Sequence, residues 1–153
     1  MFTLEFRRSL AYPPDFVFDI VTDFERYPTF APGILSIERI GGTDEVQQLK
    51  VMLGYRGLRV TAEVEVSLDR PNQLIATGTG SAIESLVNTW TLRPTAEGCE
   101  VAFDLKTTFG IPIVGTFVAR FETVIIDKLS TAFERRAAEV WAERMAKEVA
   151  EVP

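Results

Sequence analysis

Residues 58–68 alternate without a break. Leu58, Val60, Ala62, Val64, Val66 and Leu68 fall on one side, and Arg59, Thr61, Glu63, Glu65 and Ser67 on the other. Period-2 patterning of this kind predicts a strand with one face on a core and the other in water, as in antiparallel sheets. Shorter or less regular runs predict further strands at Thr3–Ala11, Leu35–Ile40, Val46–Leu53, Leu74–Thr79, Leu86–Arg93 and Cys99–Thr108. Gly41–Asp44, Gly54–Gly57, Asp69–Asn72 and Pro94–Gly98 supply the turns between them. In the first strand Leu4, Phe6, Arg8 and Leu10 share a side, and the arginines near its middle leave its register open.

Two stretches change the period. Pro13 and Pro14 stop the first strand, and Phe16, Val17, Ile20, Val21 and Phe24 then follow helical spacing. Asp23 caps a second short helix through Tyr27, which Pro28 and Pro32 end. From Pro112 almost to the end, Val114, Phe117, Val118, Phe121, Ile125, Leu129, Ala132, Phe133, Ala137, Val140 and Trp141 recur at i, i+3, i+4, i+7. The spacing predicts one long helix. The element order is β-α-α-β6-α, an α+β layout: a curved antiparallel sheet of about seven strands wrapped around a long C-terminal helix. One apolar sheet face requires one amphipathic cover, and the last helix is the candidate.

Pairing Leu92 with Val101 sets the register of the last hairpin. Trp90 then faces Phe103, and Asn88 faces Leu105, all on the apolar side. Asn88 is therefore expected among large hydrophobes, where an amide left without a partner costs about 1–3 kcal/mol. A neighbouring side chain, a water or a ligand would satisfy it. Thr77, Thr79 and Thr107 either add hydroxyls to that interior or reflect strand propensity alone. Phe117, Phe121 and Phe30 add aromatic area, and Val60 and Val64 belong to the same apolar face. Such a stripe is ordinary core by default. A curved sheet, however, does not pack flush on a straight helix near its open end, and an apolar gap there accepts apolar guests.

Composition narrows the chemistry. The 153 residues, 46% hydrophobic and 25% charged, suit one domain over 1–153 with one core. There is no histidine, so Ser-His-Asp triads, Cys-His dyads and histidine metal sites drop out. No metal site is expected, and no catalytic set stands out. Cys99 is the only cysteine, next to a turn and without a basic neighbour, and reads as inert. The GxG fragment Gly78–Gly80 opens no helix and reads as strand with little bulk. A net charge of −6 argues against nucleic acid as a partner and more weakly against anionic lipid heads. The N-terminus alternates and carries charge where a signal peptide would be apolar, so the cytoplasm is the expected location, with the inner membrane face as a place of peripheral contact.

Three stretches carry a resemblance. VTDFERYPTFAPGILSIERI (21–40), with Asp23, Tyr27-Pro28, Phe30 and Pro32, resembles the N-terminal motif of the coenzyme Q-binding branch of START-related (SRPBCC) proteins. That branch overlaps the polyketide cyclase/dehydrase and ribosome-association toxin groups. LVNTWTL (86–92) is similar to the family's Leu-x-Asn-x-Trp-x-Phe strand, with Leu92 in the aromatic position. FGIPIVGTFV (109–118) resembles the apolar lead into the terminal helix. Ser81–Ser85 departs from the glycine-proline-phenylalanine element associated with the run before that strand.

The resemblance implies a helix-grip fold with a hydrophobic cavity between sheet and terminal helix, holding a polyprenyl quinone such as ubiquinone or a similar lipid, with no other cofactor required. Phe30, Val60, Val64, Asn88, Trp90, Phe103, Leu105, Phe117 and Phe121 are the expected ligand-binding residues. Two other classes stay open. A cyclase/dehydrase-type enzyme needs an inward acid or base, for which Tyr27 is the best remaining side chain, since Glu63, Glu65 and Asp104 are expected outside. A ribosome-association-type interaction module would favour basic patches, against the net charge. The reading leans to a carrier or chaperone rather than an enzyme.

Overall fold

The computed structural model describes residues 1–151. Its elements are β1 (Phe2–Leu10), α1 (Pro14–Thr22), a single 3-10 turn (Phe24–Arg26), α2 (Tyr27–Phe30), β2 (Ile34–Gly42), β3 (Val46–Tyr55), β4 (Leu58–Asp69), β5 (Gln73–Gly80), β6 (Ile83–Pro94), β7 (Cys99–Phe109), α3 (Pro112–Ala119) and α4 (Glu122–Glu151). All seven strands form one antiparallel sheet in the order β1-β7-β6-β5-β4-β3-β2. Strands β2 to β7 follow one another as a meander. β1 and β2 sit at opposite edges, so the segment holding α1 and α2 must carry the chain across the whole sheet. That crossing closes one end of the concave face. The α+β order expected from the pattern is present.

Alternation decides what faces inward. On β4, Val60, Ala62, Val64 and Val66 are buried while Arg59, Glu63, Glu65 and Ser67 are exposed. The β6–β7 register pairs Leu92 with Val101, Trp90 with Phe103 and Asn88 with Leu105, as the apolar pattern requires. The β3–β4 connection is tighter than a four-residue turn. Gly54 and Tyr55 stay in β3, and only Arg56 and Gly57, both at positive φ, make the loop. Gly78 and Gly80 sit where β5 runs close to β4. A methyl on Gly78 would collide with the carbonyl oxygen of Glu63 and lie 2.8 Å from Val64 Cγ1.

One expectation changes and two open questions close. The C-terminal helix is two helices. Phe121 donates its N–H to Val118 at i−3, and α4 starts afresh with Ile125 bonded to Phe121. Helical spacing runs through the break, which is why the sequence hides it. A curved sheet supplies the reason: α3 lays Val114 and Val118 on one part of it, α4 lays Leu129, Phe133 and Ala137 on another, and one straight rod does not reach both. Second, Thr77 and Thr79 are exposed on the outer face, while Thr107 is buried inside. Third, Arg8 keeps the phase of the apolar positions and reaches α4. Its Nε lies 2.9 Å from Glu134 Oε1 and its guanidinium donates to Ser130 Oγ at 3.1 Å. Polar groups on α4 thus let an arginine occupy the inner side of β1.

The core is continuous from β1 through α1 to α4 and includes Phe18, fully buried, and Cys99. Burial pushes the Cys99 thiol up, which suppresses its thiolate. Gly78→Ala is expected to lower unfolding stability by about 1–3 kcal/mol, because the methyl must displace backbone. Thr77→Ala, one residue away on the outer face, should stay within about 0.5 kcal/mol. Urea unfolding followed by tryptophan fluorescence compares the two directly.

Candidate functional site

The aromatic side chains are unevenly distributed. Phe6 stacks on Phe103 at 4.8 Å, Trp90 meets Phe103 and Phe133 at 4.8 Å each, and Tyr27 and Phe30 close on Phe133 at 5.2 and 5.1 Å. This cluster fills the space between sheet and helix beside α2. Phe117 and Phe121 meet each other at 5.4 Å, and Phe121 meets Tyr55 at 5.2 Å. Between the two groups a cavity of about 280 Å³ remains. Its walls come from every strand and from α3 and α4, and they are almost wholly apolar.

Of the expected binding residues, Val60, Val64, Asn88, Trp90, Phe103 and Leu105 line this cavity. Phe30, Phe117 and Phe121 do not. Phe30 turns to α4, where Phe133 and the Arg136 guanidinium cover it. The helix break sends Phe117 to a shallow surface hollow shared with Leu58, Ile113 and Val114. Phe121 packs under Arg56, whose guanidinium lies 4.7 Å from its ring centre. Arg56 is thus a stacked residue rather than a free turn arginine. Lining residues that the sequence reading left out include Phe2, Leu74, Ala76, Val118, Ile125, Leu129 and Phe133. Most were readable as inward by period, but not as facing empty space.

Six lining residues carry polar side-chain atoms: Tyr27, Tyr55, Asn88, Trp90, Thr107 and Lys128. Asn88 Nδ2 donates to the Asp104 carbonyl at 2.9 Å. Among the described residues neither Asn88 Oδ1 nor the Thr107 hydroxyl has a protein partner, and no fully enclosed side-chain oxygen or nitrogen lacks one. Both atoms therefore touch the open space. They lie on adjacent strands, since Leu86, two residues before Asn88, pairs with Thr107. An otherwise apolar wall offers there one acceptor and one hydroxyl. Lys128 is exposed and stands at the mouth.

Tyr27 is a structural hydroxyl. It is buried, and its O–H donates to the Val21 carbonyl, tying α2 to the end of α1. Burial, with a smaller contribution from the Asp23 carboxylate, pushes its ionisation far above the ordinary 10.0. It stays protonated and is no general base at physiological pH. Among the described residues no cluster of His, Cys, Asp or Glu could hold a metal ion. No helix is long and apolar enough to cross a membrane.

A curved seven-stranded sheet closed by a C-terminal helix around an apolar cavity defines a START-related, SRPBCC-type protein. Residues 10–134 match the family described as polyketide cyclase / dehydrase and lipid transport, and the chain belongs to it, as a hydrophobic-ligand-binding domain of the START/cyclase type. A curated relative is the "Ribosome association toxin RatA" of Rickettsia prowazekii, 26% identical over 144 residues, covering 92% of this chain and 99% of that protein. The fold is shared with the crystal structure of TTHA0849 from Thermus thermophilus, at TM-score 0.78 and 20% identity over 90% of this chain and 98% of the other. A START superfamily protein from Mycobacterium smegmatis is similar at TM-score 0.77 and 19% identity, with the same coverage.

Tyr27→Phe should cost about 1 kcal/mol at neutral pH through the lost bond to Val21. The folded pKa is raised, so the unfolded chain ionises first. The stability that Tyr27 confers is complete below 10.0 and falls as pH rises past it. Urea midpoints measured across that range should fall less steeply for Tyr27→Phe than for the parent.

Proposed function

We propose that residues 1–153 form a single START-like domain that holds a hydrophobic small molecule in this cavity, as a carrier or chaperone. The observation that carries the reading is the cavity of about 280 Å³ with apolar walls and one polar pair, Asn88 and Thr107. Burying apolar ligand surface gains about 2.5 kcal/mol per 100 Å². The pair orients the guest: Asn88 Oδ1 accepts from a hydroxyl, and the Thr107 hydroxyl donates to a carbonyl. A polyprenyl quinone such as ubiquinone offers ring carbonyls to the Thr107 hydroxyl, its quinol offers ring hydroxyls to Asn88 Oδ1, and similar ring-bearing lipids present one or the other on an apolar body. The volume lies just below the roughly 300–1,000 Å³ usual for small-molecule sites. It suits a ring and a short length of chain, with any longer tail leaving by the mouth. The cytoplasm, with contact at the membrane face where such lipids reside, fits this role.

A cyclase/dehydrase-type activity is the second reading, and the family description favours it. It asks for an acid or base on the wall. Tyr27 is locked, which leaves Tyr55 and Lys128 as the titratable lining groups. The relative named for ribosome association suggests an interaction module. The net charge of −6 opposes docking on RNA.

Native mass spectrometry after mild purification should find a bound hydrophobe, or uptake of added ubiquinone with a short tail. Val64→Phe, which fills the cavity, should abolish uptake while the protein stays folded. Asn88→Leu should weaken a quinol by about tenfold and leave a plain hydrocarbon probe unaffected, the cost of one orienting hydrogen bond. An empty protein that ignores quinones and hydrocarbon probes alike overturns the reading.

A further inference from the structure

We propose that the rim of the cavity mouth is a docking surface for an anionic lipid bilayer. Two independent features meet there. The first is apolar exposure. Ile113, in the first turn of α3, is 76% exposed, and Ile111 and Val124 are 46% and 42% exposed. Ile113 borders the shallow hollow over Leu58 and Phe117. Large apolar side chains standing in water at the opening of an apolar cavity need a cover.

The second is charge segregation, which the net charge of −6 conceals. Residues 53–62 and 105–121 carry Arg56, Arg59, Lys106 and Arg120 and not one Asp or Glu. The rest of the chain holds the other twelve cations and all twenty-two carboxylates. Arg56 is held over Phe121 at the β3–β4 loop, Arg120 occupies the break between α3 and α4, and Lys128 lines the mouth. Among the described residues Arg56, Arg59, Arg120 and Lys128 make no ion pair. Glu63, Asp104 and Glu122, the carboxylates that directly flank these segments, pair with none of these cations. A molecule acidic overall but basic at one greasy end is oriented by an anionic surface, mouth inward and carboxylates away. Isoleucines beside the cations then enter the acyl boundary, as in interfacial helices.

The proposal rests on the ligand-holding reading for its purpose, naming the phase from which the guest is exchanged, but not for its test. The intact protein is sedimented with phosphatidylcholine vesicles, with and without phosphatidylglycerol, at low and high salt. Binding should need the anionic lipid and weaken with salt. Ile113→Asp, at an exposed first-turn position where an acid suits the helix, should cut binding about tenfold, the worth of one buried isoleucine. Arg120→Gln should cut it about fivefold, and Arg59→Gln likewise. All three variants should keep the parent's uptake of a hydrocarbon probe in solution. Vesicle binding absent, or unchanged in Ile113→Asp and the arginine variants, overturns the docking surface. So does recovery of the same arginine dependence on ribosomes and not on vesicles. Vesicle binding by a protein that takes up no hydrophobe sustains the surface and removes the carrier.

Discussion

A seven-stranded sheet with one apolar face sets the problem that the rest of the chain answers. Alternation along β4, β6 and β7 commits half of their side chains to one side, and that side must leave water. A helix is about 10 Å across and cannot cover such a surface alone. The chain responds in three ways. It curves the sheet, with glycines in β5 permitting close approach to β4. It lays α1 and α2 across one end. It bends the C-terminal helix so that α3 and α4 cover different parts. What remains uncovered is the cavity.

The aromatic distribution follows from the same constraint. Beside α2 the gap is narrow enough for rings to close it, and Trp90, Phe103, Phe133, Tyr27 and Phe30 do so. Between that cluster and the contact of Tyr55 and Arg56 with Phe121 at the helix break, valine, leucine and isoleucine walls leave room. Rings close both ends, some of them facing the cavity, and the aliphatic walls between them hold space.

Much of this was legible in the chain. Period-2 runs placed the strands to within a few residues, and pairing Leu92 with Val101 put Asn88 inside. What was missed or left open has separate physical causes. Phe117 and Phe121 keep perfect helical spacing with Leu129 and Phe133, so periodicity cannot report that the axis turns between them. Phe30 went astray because α2 packs on α4, a tertiary choice that a four-residue helix does not encode. Thr77 and Thr79 carry strand propensity without polarity enough to declare a side. Lys128 was invisible as a mouth residue because its neighbourhood exists only once α4 has packed across the sheet.

The bond from the Tyr27 hydroxyl to the Val21 carbonyl has one more consequence. It fixes the inner wall before any guest arrives, and it does so with a group too deeply desolvated to ionise. Entering molecules thus give up little affinity to immobilising that wall. Discrimination there becomes a matter of contour, settled by a mould whose form is already cast.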